Sequence, residues 1–219
     1  MWPMQEHPEN PDAPLIEARQ TKVELTMTDT QSGVFHLDTG SLPRQSAFAG
    51  FAADLAQLPA IDSQRAFGAV CRDVCRLWQE RFPEGRGETS AEFEQLSRQI
   101  ADGAVANRVI PTSWGGVVVT RHQHPEVEKH LVIRQGGCLA LEKHAEKDER
   151  MEVKEGAGIL LWRDAVGKPL NVHVLDPGAT FHFSPGMEHC IIGTEDLLVF
   201  ERSTDPLGMD EDLIFIYTP

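Results

Sequence analysis

The sequence predicts a mainly β protein, an antiparallel β-barrel preceded by a helical N-terminal portion. Two observations support this prediction. From Ile110 to its end, the 219-residue chain consists of short β-branched apolar runs separated by Gly, Pro and Asp, as in all-β barrels. Upstream, between about residues 46 and 107, apolar residues instead recur at helical spacing. We therefore expect a helical portion over residues 1–110 and a barrel over residues 111–219.

The composition is that of an ordinary globular protein and disfavours several classes of function. Hydrophobic residues make up 41% and charged residues 25% of the chain, and the formal charge is −14, from 34 acidic and 20 basic side chains. Such a negative surface repels nucleic-acid phosphates and anionic lipids. No apolar run approaches the roughly 20 residues that span a bilayer, and the first residues do not resemble a secretory signal. We therefore expect a cytoplasmic protein without a nucleic-acid or membrane partner.

The N-terminal portion is predicted to hold a loose arm, two short strands and three helices. Within residues 21–38, KVELTMT and GVFHLD alternate apolar and polar residues as strands do. Helical periodicity then covers residues 46–58, 63–82 and 90–107. The first two helices end before prolines, and the SAEFE start of the third predicts a capping box at Ser90.

Two of the four cysteines, Cys71 and Cys75, lie one helical turn apart in AVCRDVCRLW. This spacing suits a redox pair, half of a zinc site, or two buried unreactive thiols. No second pair of Cys or His residues stands near them in the sequence, so we favour buried unreactive thiols. Four cysteines are also too few for a disulfide framework in a chain of this length, which fits a reducing compartment.

Candidate metal ligands lie in two segments of the barrel portion. In the strand CLALEKH, Glu142 and His144 are two residues apart and so point to the same face of a sheet. Glu149 follows a short turn and opens the next strand, and His189 follows a Pro-Gly turn further on. Since neighbouring strands lie about 4.8 Å apart, adjacent strands can bring these side chains to one ion. The aliphatic core of the barrel is predicted to include Leu139, Leu141, Ile159, Leu161, Ile191 and Leu198.

The spacing of these residues resembles the two sequence motifs of the cupin superfamily. The chain has G-x5-E-x-H-x4-E-x6-G from Gly136, then G-x5-S-P-G-x2-H further on. His144, Glu149 and His189 match metal-ligand positions of the family directly. Glu142 stands where the commonest cupin motif has histidine. The resemblance implies a cupin double-stranded β-helix, or jelly roll, with one divalent metal ion.

Within the cupins, about the last half of the chain is similar to the C-terminal domain of type II mannose-6-phosphate isomerases. The matching features are Trp114-Gly115, the strand GGCLALEKH and the closing segment FERSTDPLGMDEDLIF. Those isomerases carry glutamine at the position of Glu142. The resemblance implies a metal-dependent isomerase or epimerase that acts on a sugar or a sugar phosphate, although other small cupins share the pattern.

A second register of the first motif stays open. The segment GVVVTRHQHPEVE has the spacing G-x5-H-x-H-x3-E, with His122 and His124 in the ligand positions, and is nearer to the commonest motif in its letters. However, its closing glycine is displaced by one residue, and HQHPEVEKH is typical of a polar hairpin turn. We therefore favour the register of Glu142 and His144.

Two imidazoles and two carboxylates form a mixed ligand set that suits Mn²⁺, Fe²⁺, Zn²⁺ or Ni²⁺. Room for substrate on the ion is typical of catalytic sites. In an isomerase, a residue beyond the ligands moves the proton, with His182 and Glu201 as candidates. The alternatives are a non-haem iron oxygenase or metal-assisted lyase, and a non-catalytic module that binds a small molecule. We expect a small-molecule substrate, with a carbohydrate as the leading candidate, and a homodimer.

Overall fold

The computed structural model describes residues 34–86, 90–103 and 108–219, which belong to one compact unit. The predicted strand KVELTMT lies outside the described residues. In GVFHLD, strand β1 (Leu37–Asp38) pairs in parallel with Leu170 and Asn171. A strand is therefore present in this segment, although it is shorter than predicted.

Helices α1 (Ser46–Leu55) and α2 (Gln64–Arg81) confirm the first two predicted helices. Helix α1 ends earlier than predicted, because residues 57–58 continue as a tighter i→i+3 turn toward Pro59. Helix α2 begins after Ser63, whose hydroxyl accepts a hydrogen bond from a backbone N–H of the first turn. None of the described helices is long and apolar enough to cross a membrane.

Helix α3 (Ala91–Asp102) corrects two predictions for the third helix. Gly103 adopts a left-handed conformation with a φ of 63°, which stops the helix, so the predicted length is wrong. The Ser90 hydroxyl caps the first turn, but the residue three positions on is Phe93, not the glutamate of a capping box. Instead, the Ser90 backbone N–H donates a hydrogen bond of 3.2 Å to the carboxylate of Glu155, which belongs to the barrel.

The barrel portion consists of short strands that pair with one another in antiparallel fashion. They are β2 (Val109–Thr112), β3 (Gly115–Gln123), β4 (Glu126–Ile133), β5 (Leu141–His144), β6 (Asp148–Glu155), β7 (Gly158–Arg163), β8 (Leu170–Leu175), β9 (Thr180–Phe183), β10 (Glu188–Gly193), β11 (Leu197–Thr204) and β12 (Leu213–Tyr217). Together with β1, they form two six-stranded sheets. The first sheet has the order β1-β8-β7-β10-β5-β12, and the second has the order β2-β3-β4-β11-β6-β9.

The connections between these strands define the fold. From β4 onward, the chain crosses to the other sheet at every connection except the one between β7 and β8. Two facing antiparallel sheets joined in this way form a double-stranded β-helix, the jelly-roll barrel. The structure therefore confirms the predicted fold class, a mainly β double-stranded β-helix with an N-terminal helical extension. The crossings place the inward-facing residues of both sheets around one interior.

Both sheets carry apolar residues on both faces, which explains the near-continuous apolar runs in their strands. Helices α1 and α2 pack on the outer face of the first sheet, and α3 packs on the outer face of the second. Leu139 and Ile191 belong to the interior core, as predicted. The other predicted core residues lie on the outer faces, with Leu141, Ile159 and Leu161 toward α1 and α2 and Leu198 toward α3.

Candidate metal centre

The barrel interior holds a cavity of about 460 Å³ that residues of both sheets line. Apolar side chains such as Trp114, Leu139 and Phe215 form part of its wall. All four residues predicted as metal ligands line this one cavity. Its ionisable lining side chains are Lys129, Cys138, Glu142, His144, Lys147, Glu149, His189, Glu201 and Asp210.

Three of the four predicted ligands come from the first sheet. Glu142 and His144 lie two residues apart in β5, and His189 in β10 is the direct Cα partner of Glu142. Glu149 lies in β6, which belongs to the facing sheet, because the short turn after His144 crosses the barrel. The expectation that adjacent strands supply all four residues is therefore wrong. Glu149 reaches the others across the interior.

The carboxylate of Glu149 lies close to the imidazoles of both His144 and His189. Glu149 Oε1 lies 3.4 Å from His144 Nε2, and Glu149 Oε2 lies 3.2 Å from His189 Nε2. Two donors that each bind one ion at about 2.1 Å lie about 3.0–3.4 Å apart at octahedral or tetrahedral angles. Among the described residues, buried Glu149 Oε2 has no hydrogen-bond partner. The donor spacing and this unpartnered oxygen both fit a divalent metal ion.

Asp212 orients His144 so that its Nε2 atom faces Glu149. Asp212 Oδ1 lies 2.8 Å from His144 Nδ1, and Oδ2 accepts the backbone N–H groups of Glu146 and Lys147 at 2.7 and 2.8 Å. Carboxylates behind histidine ligands fix the imidazole in this manner. Although burial opposes the shift, these backbone bonds and the His144 imidazole lower the pKa of Asp212.

His189 is held from two sides. Its ring stacks on that of Phe183, with 4.2 Å between the ring centroids, and its Nδ1 atom lies 3.4 Å from Met187 O. Both contacts leave Nε2 directed at Glu149. Although burial opposes it, the Glu149 carboxylate raises the pKa of His189. Burial alone would raise the pKa of Glu149. The His189 imidazole and the Lys147 ammonium group outweigh burial and hold this pKa well below its usual range.

Glu142 is the predicted ligand with the fewest partners. Its carboxylate makes no hydrogen bond or ion pair within the part of the chain that the structure describes. Burial, together with the Glu149 and Asp210 carboxylates, raises the pKa of Glu142 to about 7, against the opposing charge of His189. A nearby cation favours the ionised form of such a carboxyl group. The environment of Glu142 therefore suits a metal ligand.

A buried cluster of opposite charges occupies the part of the cavity beyond Glu149. Lys147 is 1% exposed, and its Nζ lies 2.9 Å from Glu201 Oε1 and 2.6 Å from Asp210 Oδ1. It also forms an ion pair with Glu149. Lys129 Nζ lies 3.2 Å from Glu201 Oε1 and 2.7 Å from Asp210 Oδ2. Although burial opposes the shift, the two lysines lower the pKa of Asp210 to about 2.

The sequence analysis did not find Lys129, Lys147, Asp210 or Asp212. The acidic run before β12 is the signal that could have indicated the two aspartates. His144, Glu149 and Asp210 present ligand atoms within 4.8 Å of one another, so Asp210 is a further candidate ligand. Both oxygens of Asp210 are already paired with lysines, whereas Glu149 Oε2 has no hydrogen-bond partner among the described residues. We therefore assign Asp210 to the charge cluster. His189, whose Nε2 lies 3.2 Å from the unpartnered Glu149 Oε2, remains the candidate ligand beside His144 and Glu149.

Three histidines considered in the sequence lie outside this cavity. The side chain of His182 is 48% exposed, and its Nε2 lies 2.7 Å from Asp148 Oδ2. The structure therefore does not bring this candidate base to the predicted ligands, whereas it does bring Glu201 into the cavity. His122 and His124 are exposed and do not line the cavity. The alternative register thus has its histidines outside the barrel interior.

Comparison with protein-family models and with curated proteins gives no match. Similar solved structures include an uncharacterized conserved protein with a double-stranded β-helix domain from Klebsiella pneumoniae, at 15% identity and a TM-score of 0.37, over 45% of this chain and 80% of that chain. They also include KdgF from Halomonas sp., at 18% identity and a TM-score of 0.36, over 41% and 76% of the two chains. A third is the oxalate decarboxylase of Lactobacillus farciminis, at 16% identity and a TM-score of 0.43, over 51% and 34%. Likenesses at this level do not indicate the reaction.

Proposed function

We propose that this chain is a metal-dependent enzyme that isomerises or epimerises a sugar or a sugar phosphate in the barrel cavity. The observation that carries the proposal is the placement of two kinds of group in one buried space. Imidazole and carboxylate donors converge on one side, and a carboxylate paired with buried ammonium groups lies on the other. The first suits a Lewis-acidic ion and the second suits proton transfer.

In this proposal, Glu142, His144, Glu149 and His189 hold one Mn²⁺, Fe²⁺, Zn²⁺ or Ni²⁺ ion. A bound divalent ion supplies a Lewis acid that polarises a substrate carbonyl and so acidifies the neighbouring C–H bond. Asp212 keeps the His144 imidazole turned toward the ion position. The ion pair between Lys147 and Glu149 occupies Oε1 and leaves Oε2 available.

Glu201 is the proton-transfer residue in this proposal. Glu201 is 2% exposed and lines the cavity. The Lys147 ammonium group forms ion pairs with both Glu201 and Glu149 and so lies between the two carboxylates. Glu201 Oε1 accepts no hydrogen bond with good geometry from any described residue. A carboxylate in this position can accept a proton from a substrate carbon and return it to the neighbouring carbon.

The size and lining of the cavity support a small, polar substrate. A volume of about 460 Å³ lies within the range of small-molecule sites. The two buried lysines, Lys129 and Lys147, place ammonium donors near the ion position, which suits a substrate with several oxygen atoms. Apolar residues such as Trp114 and Leu139 form the remaining part of the wall.

The test combines metal analysis with a proton-exchange assay. The purified full chain is loaded with each of the four metals and incubated in D₂O with a panel of aldoses, ketoses and their phosphates. We expect one substrate to acquire solvent deuterium at the carbon next to its carbonyl and to form its isomer or epimer. The variant His189→Ala should lose both metal and activity, whereas His182→Ala should retain both.

Three outcomes would contradict this proposal in different ways. Consumption of O₂ that depends on the substrate and on Fe²⁺ would indicate an oxygenase instead. Tight binding of a sugar without deuterium exchange or turnover would indicate a binding module. Loss of metal in His122→Ala, with metal retained in His144→Ala, would show that the register of the ligands is wrong.

A further inference from the structure

All four cysteines of the chain are described, and three of them meet on the outer face of the first sheet. Cys71 comes from α2, Cys138 from the segment before β5, and Cys190 from β10. The Sγ atoms of Cys71 and Cys138 lie 2.8 Å apart, and those of Cys138 and Cys190 lie 3.8 Å apart. The three Sγ atoms all lie within 4.8 Å of one another. The sequence, in which these residues are up to 119 positions apart (190 − 71), gives no sign of the cluster.

Strand alternation separates Cys190 from the candidate metal centre, whereas Cys138 lines both the barrel cavity and a second, outer cleft. His189 points into the barrel cavity, while the next residue, Cys190, points outward into the core that α1 and α2 form with the sheet. The three thiols are nearly inaccessible, with exposures of 3%, 7% and 1% for Cys71, Cys138 and Cys190. None of the three is used by the proposed isomerase chemistry.

We propose that Cys71, Cys138 and Cys190 bind one thiophilic metal ion, Cu(I), which ties helix α2 to the barrel. Soft thiolate ligands select Cu(I) and Zn(II) among biological metals. Structural zinc sites are almost always four-coordinate. The cluster has three members among the described residues, because Cys75 lies one turn further along α2 and does not join it. Three sulfur atoms in a trigonal arrangement are a favourable set for Cu(I).

The distances fit this assignment after a small local movement. Two thiolates that bind one ion at about 2.3 Å lie about 3.7–4.0 Å apart at tetrahedral or trigonal angles. The 3.8 Å between Cys138 and Cys190 already matches. The Cys71–Cys138 pair has to open by about 1 Å, which a rotation of the Cys71 side chain can provide. Without the ion, Cys138 and Cys190 each donate an S–H hydrogen bond to Leu139 O at 3.3 Å, and binding replaces these protons.

A surface cleft gives the ion a route to this site. A cleft of about 230 Å³ is lined by Cys71 and Cys138 together with Arg72 and Gly137. The Arg72 side chain places positive charge beside a site that three thiolates make negative. An entry path and a compensating charge are both features of a usable metal site.

The test measures Cu(I) binding to the reduced full chain under anaerobic conditions. A chromogenic Cu(I) chelator competes for the metal, and thiolate-to-copper charge-transfer absorption in the ultraviolet reports the ligands. We expect the wild type and Cys75→Ala to retain one Cu(I) per chain. Cys71→Ala and Cys138→Ala should lose at least about tenfold in affinity. Cys71→Ser provides a second variant that nearly keeps the volume of this buried side chain while removing the sulfur.

Two further measurements make the result specific. Cu(I) should raise the unfolding temperature of the wild type but not of Cys71→Ala, because the ion then links α2 to the barrel only when Cys71 is present. His144→Ala, which disables the barrel cavity, should bind Cu(I) as the wild type does. Equal Cu(I) retention in Cys71→Ala and Cys75→Ala would overturn the proposal. So would stronger retention of Zn(II) than of Cu(I), or an air-formed Cys71–Cys138 disulfide in a chain that retains no copper.

Discussion

The two sheets of the barrel line the same cavity with different chemistry. The first sheet contributes Glu142, His144 and His189, which make few direct charge pairs, and contacts behind the two imidazoles orient them. The second sheet contributes Lys129 and Glu201, which are bound together with Lys147 and Asp210 in a network of ion pairs. We call the first set the ligand wall and the second set the charged wall. The ligand wall has donor atoms that suit an added cation, whereas the charges of the charged wall are already paired with one another.

Glu149 connects the two walls. Its strand belongs to the second sheet, but its two carboxylate oxygens serve different partners. Oε1 pairs with Lys147 of the charged network, and Oε2 lies 3.2 Å from His189 Nε2 without a hydrogen bond from any described residue. A buried carboxylate placed in this way serves as a counter-ion through one oxygen and, in the proposed site, as a metal ligand through the other.

The largest expected effect comes from removing the central cation of the charged wall. Lys147→Met keeps the length of the side chain but leaves Glu149, Glu201 and Asp210 without their shared ammonium group. Removing one partner of a buried ion pair costs about 3–5 kcal/mol, because the remaining charges stay buried and uncompensated. We expect a loss of this size in the free energy of unfolding, measured in denaturant with metal removed.

The matched control for this change is an exposed lysine. Lys168→Met removes an ammonium group that pairs with Asp164 at 3.0 Å, where both side chains are more than half exposed. Exposed pairs contribute less than about 1 kcal/mol, so this variant should unfold almost as the wild type does. Equal effects of the two substitutions would show that the charged wall is not buried in solution.

The second effect concerns the support behind the ligand wall. Asp212→Asn keeps a hydrogen-bond acceptor near His144 Nδ1 but removes the charge that fixes the orientation of the imidazole. Loss of such outer partners lowers metal affinity by about 10–100-fold. We expect a decrease of this size in a competition assay with a metal chelator, while the barrel stays folded as judged by circular dichroism.

A second histidine–aspartate pair provides the comparison for Asp212. His182 Nε2 and Asp148 Oδ2 lie 2.7 Å apart on the surface, about as close as His144 Nδ1 and Asp212 Oδ1 at 2.8 Å. Asp148→Asn should leave metal affinity unchanged, because His182 lies outside the cavity. If both variants lose metal equally, the effect is electrostatic and general, and Asp212 does not orient a ligand.

The same comparison explains how much the sequence could predict. Alternation within β5 placed Glu142 and His144 on one face, since that inference needs only the geometry of one strand. The charged wall was not predicted, because Lys129 and Asp210 are separated by 81 residues and meet only through the crossings of the barrel. The aliphatic core was assigned in part to the wrong face. Leu139 and Leu141 are both buried, and apolar residues do not reveal which of two covered faces they occupy.

The smallest effect tests the ligand wall without removing a side chain. Burial raises the pKa of Glu142 to about 7 from a usual value of 4.5, so the folded metal-free chain retains a proton that the unfolded chain releases. The stability of the wild type therefore falls as the pH rises from about 4.5 to about 7. Glu142→Gln removes this loss. In chelator, the variant should be more stable than the wild type by about 3 kcal/mol at a pH of about 8, and the difference should vanish below about 4.5.

Metal binding should respond to Glu142→Gln in the opposite direction. The amide oxygen remains available as a ligand, but the negative charge is lost, so affinity should decrease without disappearing. Glu152→Gln, on the outer side of β6, should change neither stability nor affinity. A variant that gains stability while it loses metal affinity would show that the buried Glu142 carboxylate destabilises the metal-free fold and contributes to metal binding. If its stability at high pH matches that of the wild type and its metal affinity is unchanged, Glu142 does not belong to the ligand wall.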